Sequence, residues 1–334
     1  MLRKAAAALT IGIGLTVAVA GCSGTTSGSA GASGSTAASG STGKVGGEIT
    51  IIVNDPSNPY WLTEGNVASA EAKKLGYTAN VQASKGDVST EANLIDQAIS
   101  KKDVGIILDP ANADGSVGNI KRAMAAKIPV FLVNAEINQT GVALAQLVSN
   151  NAQGASIGAQ AWIKAAGTKG KYAELFGLPS DNNAATRANG YKTVISQYPD
   201  WKKVSQQTAN WDRTLGQQKT ESILQANPDI TAIISGNDEM ALGAIAALKQ
   251  ANKLKGVTVG GFDGSPDAVT AVKNGEMAYT VLQPVATFAK AAVDQLNTYI
   301  TTGKKPTTEK QSFDCILIDK SNADKVTQPF TLSQ

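Results

Sequence analysis

No histidine occurs anywhere in the 334-residue chain. That absence removes the commonest general base, the commonest metal ligand and every catalytic pair in which a serine or cysteine leans on an imidazole. Cysteine is almost as scarce: Cys22 and Cys315 are the only two, and their separation rules out a C-x-x-C metal or redox motif. Charge of either sign is modest. A formal net charge of +3, carried by scattered lysines, is too small to suggest a nucleic-acid partner. No metal or other cofactor is implied. What the chain does have is an apolar share of 42%, typical of a globular protein, and enough length for two medium-sized domains, each with its own core.

Residues 1–21 read as an export signal. Arg3 and Lys4 make a short basic start, residues 5–20 are apolar with small side chains toward the end, and V-A-G-C closes the segment at Cys22. The apolar run, about 16 residues, is short for a membrane span, and no charged stop-transfer flank follows it. Its last four residues resemble a bacterial lipobox, whose cysteine is acylated after cleavage before it. Two or more acyl chains on Cys22 would hold the protein stably at the outer face of the cell membrane. From there to residue 47 the chain is almost wholly Gly, Ser, Thr and Ala, a composition that behaves as a flexible tether.

From residue 48 the apolar period starts to alternate. The pattern predicts strands at 49–54, 78–83, 105–108 and 129–133, with helices at 60–75, 90–99 and 116–127 between them. A second series follows: a helix at 155–166, then strands near 172–176, 204–208, 231–235, 257–260 and 279–282. Strict strand–helix alternation implies parallel sheets with right-handed crossovers. Two such series predict an α/β chain of two doubly wound, Rossmann-like lobes. In that architecture ligands sit beyond the carboxyl ends of the strands, where helix N-termini offer unpaired N–H groups.

The residues at that edge share a chemistry. The first strand is followed by Asn54, Asp55, Asn58, Tyr60 and Trp61, the fourth by Asn134, and those of the second series by Asn210, Trp211, Asn237, Asp263 and Gln283. Planar amides and carboxylates can take adjacent hydroxyls of a carbohydrate, and aromatic faces can cover its apolar C–H side. Asn237, standing before a Glu and an apolar run, also reads as an ordinary helix N-cap.

Five segments carry a family resemblance: N-P-Y-W at 58–61, A-A-T-R-A-N-G-Y at 184–191, N-W-D-R at 210–213, G-N-D-E-M-A-L-G-A at 236–244 and G-F-D-G-S-P-D at 261–267. In this order they resemble ribose-binding protein and its relatives, the pentose and hexose receptors of bacterial ABC transporters, which share a core with LacI-type repressors. The resemblance spans about 48–319 and implies a type I periplasmic binding protein fold with its ligand cleft between the lobes. It places ligand contacts at Asn58, Tyr60, Trp61, Arg187, Trp211, Asn237, Asp263 and Gln283. The aromatics would cover the sugar's carbon face, the polar groups would bond its hydroxyls, and Asp263 would partner Arg187. Where ribose-type relatives carry Asp-Arg after the fourth strand, this chain has Asn134 and Ala135, so the ligand need not be ribose. Asn134 can still bind hydroxyls; Glu136 beside it reads as a solvated loop carboxylate or a further contact.

The resemblance further implies three crossovers, near 149–151, 283–284 and 314–315. One lobe would then comprise residues 48–149 with 284–313, and the other 150–283 with 314–334. Cys315 reads as a small buried hydrophobe. The function expected is that of a monomeric, lipid-anchored receptor that captures a neutral sugar or polyol by lobe closure and delivers it to an ABC permease. A sensory receptor using the same closed form is one alternative. A carboxylate glycosidase is another, and it would need two carboxylates facing one bond.

Overall fold

The computed structural model describes residues 46–333. The export signal, Cys22 and most of the Gly/Ser/Thr tether lie outside the described residues. None of the described helices is long and apolar enough to cross a membrane.

The first series runs β1 (Glu48–Val53), α1 (Pro59–Lys74), β2 (Thr78–Ala83), α2 (Val88–Lys101), β3 (Gly105–Leu108), α3 (Ser116–Ala125), β4 (Val130–Val133) and β5 (Ala145–Ser149). These strands pair in parallel. Both faces of the central strands β1, β3 and β4 are buried, and the period of two along them shows why. Ile49, Ile51, Val53, Ile107, Phe131 and Val133 join one apolar cluster with Ala68 and Ala72 of α1. The alternate residues Ile52, Ile106, Leu108, Val130 and Leu132 meet Ile95, Val117 and Ile120 of α2 and α3 on the other side.

After β5 the chain passes at Asn150 into the second series: α4 (Asn151–Ala166), β6 (Gly170–Phe176), α5 (Asn182–Ile195), β7 (Trp201–Thr208), α6 (Arg213–Ala226), β8 (Ala232–Ser235), α7 (Asp238–Gln250), β9 (Thr258–Gly260), α8 (Pro266–Asn274) and β10 (Thr280–Leu282). Strands β7-β6-β8-β9 form a second parallel sheet in that order. Single parallel bridges, Gly260 to Tyr279 and Asp263 to Leu282, attach β10 beside it. Here too the faces alternate. Ala232 and Ile234 pack with Trp162 and Tyr191 of α4 and α5, whereas Ile233 packs with Met240, Ala244 and Leu248 of α7.

The chain then returns. Helix α9 (Val285–Thr302) lies beside α1 against the first sheet, burying Phe288, Ala292, Val293 and Leu296. Strand β11 (Lys310–Phe313) pairs in parallel with β5 and completes a six-stranded sheet of order β11-β5-β4-β3-β1-β2. Strand β12 (Ile316–Ile318) crosses back and pairs antiparallel with β10. The two sheets are therefore linked by three chain passages. Cys315, in the third of them, is buried and unpaired, and burial pushes its thiol up to about 12.

Some features differ from the sequence reading. Strand β5 is not anticipated, because in A-Q-L-V-S only Val148 favours an extended chain on propensity. Helix α4 starts at Asn151 rather than 155, with Asn150 as N-cap accepting from Gln153 N. The tail forms a short hairpin, β13 (Val326–Gln328) with β14 (Thr331–Leu332). Its Phe330 is buried and meets the Tyr60 ring edge-on at 5.6 Å, so the tail assigned by sequence to the second lobe also touches the first.

Candidate functional site

The loops that follow β1 and β4 in the first lobe face the loops that follow β6, β7, β8 and β9 in the second. Between them lies a small cavity lined by Asn58, Tyr60, Trp61, Asn134, Arg187, Trp211, Asn237, Asp263 and Gln283, together with Asp181 and Asn183. The nine residues singled out by sequence thus converge on one place. Glu136 does not: it forms an ion pair of 3.2 Å with Lys310.

Each wall has a local cause. Asn58 caps α1, its side-chain oxygen accepting from Tyr60 N at 2.9 Å, with Pro59 at the first helical position. The cap uses the oxygen and leaves the amide Nδ2 as a donor. Tyr60 and Trp61 occupy the first turn of α1 with rings at 86° to each other. The Tyr60 hydroxyl donates to Asn134 Oδ1 at 2.9 Å and lies 3.4 Å from Gln283 Oε1. Asn134 itself has φ of 61°, a left-handed conformation that asparagine tolerates better than most residues. Its Nδ2 donates to Asp109 Oδ2 at 3.0 Å.

In the second lobe Arg187 is the organising cation. It is 3% exposed. Its Nε donates to Asn151 Oδ1 and its Nη1 to the Gly236 carbonyl, both at 2.8 Å, and Nη1 stands 3.5 Å from Asp263 Oδ1. The guanidinium also lies 3.9 Å from the Phe262 ring centroid and 5.2 Å from that of Trp211. A guanidinium this deeply buried needs such partners, since its desolvation is uncompensated otherwise. Asp263 accepts from Gln283 Nε2 at 2.6 Å. Burial pushes the Asp263 carboxyl well above its ordinary range, while the Arg187 charge pulls the other way.

Asn237 has two uses at once. Its oxygen caps α7 by accepting from Met240 N at 3.0 Å, and its Nδ2 donates to the Trp211 carbonyl at 3.2 Å. Asn237 is thus the N-cap of α7 and also part of the cavity wall, which the cap fixes in place. Trp211 needs that support: at φ of 67° it is a bulky residue in left-handed backbone, next to Asn210 at 51°, and Asp263 stands at 135°. Strained positions of this kind persist only where surrounding structure over-determines them. The indole of Trp211 lies against Gly177, where any side chain would collide with the ring.

Three groups at the site escape the sequence reading. Asp109 follows β3 and is 2% exposed; the rule that finds Asn134 after β4, applied to the G-I-I-L-D run, would have found it too. Asp181 caps α5 by accepting from Asn183 N at 2.9 Å. Asn183 donates to the carbonyl of Asn134 at 3.2 Å, one of several bonds that tie the lobes. Ala113 N also donates to Ser180 O at 3.1 Å, and Asn182 Nδ2 to Asn138 Oδ1 at 2.8 Å. The lobes are shut. About 20 Å³ of open space remains in the cavity, on the order of a single water. Outside it, between Asn58, Trp61, Lys85, Trp211 and Arg213, a wider vestibule of about 400 Å³ leads to solvent.

Two lobes on a three-stranded linkage, closed over a buried set of amides, carboxylates, one guanidinium and two indoles, define a solute-binding receptor. The chain belongs to the periplasmic binding protein family, whose domain model it matches over residues 49–305. It is 47% identical over 291 residues to the D-apiose import binding protein of Actinobacillus succinogenes, covering 86% of this chain and 93% of that one. To the ribose import binding protein of Salmonella typhimurium it is 34% identical over 237 residues, 70% of this chain and 78% of the other. Among solved structures, an ABC transporter periplasmic solute-binding protein from Actinobacillus succinogenes with bound D-allose superposes with a TM-score of 0.78 at 28% identity, covering 83% of this chain and 99% of that one.

Proposed function

We propose that the protein is the binding component of an ABC importer for a small neutral sugar, with D-apiose, a branched pentose, as its ligand. The observation that carries this reading is the convergence of hydroxyl-binding and aromatic side chains from both lobes on one closed cavity. Carboxylates outnumber cations there: Asp181 and Asp263 line the cavity and Asp109 stands behind Asn134, against Arg187 alone. That balance disfavours anionic ligands and suits neutral hydroxyl donors. The tight walls favour a compact ligand over a disaccharide. Two D-apiose import binding proteins at 47% and 46% identity, against 34% for the ribose protein, support apiose over ribose. Asn134 and Ala135, in place of an Asp-Arg pair, agree with a ligand other than ribose.

The ligand contacts in this reading are Asn58, Tyr60, Trp61, Asn134, Arg187, Trp211, Asn237, Asp263 and Gln283. Asn237 acts chiefly by holding Trp211. The lobes comprise residues 48–149 with 284–313 and 150–283 with 314–334, and they swing about the three linking passages to admit the sugar. Acylation at Cys22 anchors a monomer to the outer face of the membrane, where the closed form is what the permease recognises. The reading is of a receptor that does not turn its ligand over. Asp263 is engaged by Arg187 and Gln283, and Asp109 by Asn134.

Calorimetric titration of the purified protein with D-apiose, D-ribose, D-allose and xylitol tests the assignment. Apiose should bind tightest. A preference for ribose would move the ligand within the sugars, and silence across the panel would remove the sugar reading. The closing bonds give a second test. Asn182→Ala deletes one exposed bond between the lobes, made by a residue outside the cavity lining and worth about 0.5–1.5 kcal/mol. Affinity should fall about threefold to tenfold at unchanged melting temperature, because only the closed state loses anything. An unaltered dissociation constant would mean that this bond does not help close the cleft.

A further inference from the structure

Two of the segments that build the second-lobe wall, G-N-D-E at 236–239 and G-F-D-G-S at 261–265, are joined by a residue outside the cavity lining. Asp238 is 0% exposed. It follows the Asn237 cap in the first turn of α7, yet its carboxylate serves another element. Oδ2 accepts from Ser265 N and Oδ1 from the Thr280 hydroxyl of β10, both at 2.7 Å. The Thr280 oxygen accepts in turn from Gly264 N at 3.0 Å. Both backbone amides that follow Asp263 therefore end on Asp238, one directly and one through a hydroxyl. Gly261 makes room for this, since a side chain there would collide with Asp238 Oδ1.

The turn held in this way is the one that carries Asp263. Asp263 stands at φ of 135° and Gly264 at 78°, and a side chain on Gly264 would run into Leu282. Backbone bonds from β10 and the residue after it hold one side: Asp263 N donates to Val281 O at 2.7 Å, and Gln283 N donates to Asp263 O at 3.0 Å. A turn in so unusual a conformation persists only where its surroundings over-determine it. Asp238 supplies the other side. The placement of the turn then decides where the Asp263 carboxylate meets Gln283 Nε2, at 2.6 Å, and Arg187 Nη1, at 3.5 Å.

The arrangement needs a carboxylate at 238. Ser265 N–H can only donate, and Thr280, already accepting from Gly264, gives its single proton to Asp238, so both Asp238 oxygens must accept. Burial pushes this carboxyl up to about 6 while the bonds from Thr280 and Ser265 pull the other way, which leaves it ionised at neutral pH. The neighbouring charges are engaged elsewhere: Glu239 pairs with Arg213 of α6, and Asp263 with Arg187 of α5.

We propose that Asp238 is a positioning residue of the sugar site: through Thr280 and the amides of Gly264 and Ser265 it fixes the turn that aims Asp263 at Gln283, Arg187 and the ligand. This inference rests on the sugar-site reading above. It also gives the two segments a common purpose, because the first supplies the support and the second the contact.

The test titrates the tightest binder among D-apiose, D-ribose, D-allose and xylitol into Asp238→Asn, Thr280→Val, Thr280→Ser and Asp263→Ala, well below each melting temperature. Asp238→Asn keeps the shape but sets an amide NH2 against one of the two donors, and Thr280→Val leaves Gly264 N buried without a partner; each should weaken binding about tenfold. Thr280→Ser restores the hydroxyl and should recover most of that loss. Coupling to Asp263 is the readout that a merely structural role would not move. In an Asp263→Ala background, followed to correspondingly higher sugar concentration, Thr280→Val should cost less than about twofold more, because no carboxylate is left to aim. Should Asp238→Asn not fold, the Thr280 pair and this background carry the test. A full tenfold loss added to that of Asp263→Ala, or serine at 280 binding as weakly as valine, would overturn the proposal. Native affinity in Asp238→Asn and Thr280→Val beside a weakened Asp263→Ala would leave the sugar site standing and remove Asp238 alone. Native affinity in Asp263→Ala, or no binding of any probe, would remove the sugar site and the proposal with it.

Discussion

Asp263→Ala is expected to weaken sugar binding a hundredfold or more and to lower the melting temperature by about 5–10 °C. The two effects share one cause. Asp263 is 4% exposed, receives Gln283 Nε2 at 2.6 Å and balances Arg187 at 3.5 Å. Its loss leaves a buried guanidinium without its counter-charge, a change that costs about 3–5 kcal/mol; at roughly 1.5–2 °C per kcal/mol for a chain of this size the melting shift follows. Binding suffers further because a charge-assisted acceptor for ligand hydroxyls goes with it, and Gln283, at the passage between lobes, is freed to rotate. Asp263→Asn separates the parts. It keeps the shape and an acceptor but not the charge, so it should recover some affinity yet remain thermally weakened. An alanine variant with native affinity would place the sugar elsewhere.

Trp211→Ala is the second large effect. The indole is 5% exposed, lies against Gly177, and forms one side of the cage around Arg187. Truncating a buried tryptophan costs about 3–5 kcal/mol in lost burial and residual cavity. It also removes an aromatic face of the sugar cavity, so binding should drop below detection in a calorimeter. Trp211→Phe retains a face but not the indole N–H and should recover more of the stability than of the affinity. Stability falling while affinity holds would assign Trp211 to the core alone. Circular dichroism melts paired with titrations distinguish the outcomes.

Much of this architecture can be read in the chain before folding. Runs such as I-I-V and G-I-I-L are apolar throughout because both sheet faces are covered, and helical spacing intervenes between them. Site residues stand out because a parallel sheet sends each strand's carboxyl end to the same edge, so position along the chain becomes position at the cleft. What escapes is equally physical. Asp109 sits at that edge but in a D-P dipeptide that reads as a plain turn. Its bond with Asn134 joins residues 25 positions apart that meet only because β3 and β4 lie side by side in the sheet. Strand β5, A-Q-L-V-S, is too polar for its own periodicity to declare it. The hairpin carrying Phe330 has no pattern at all, and only its packing on Tyr60 gives it a place.

The strand order has a consequence for how the molecule is made. Strand β11, at residues 310–313, forms an outer edge of the first sheet beside β5, and α9 covers a face whose strands appear some two hundred residues earlier. During synthesis the first sheet therefore emerges with β5 unpaired on one side and an apolar face bare until the whole second lobe has been translated. An unfinished edge of that kind invites pairing with other chains. Truncation anywhere before residue 313 should give aggregation rather than a smaller receptor, and export in an unfolded state would spare the cell that exposed intermediate.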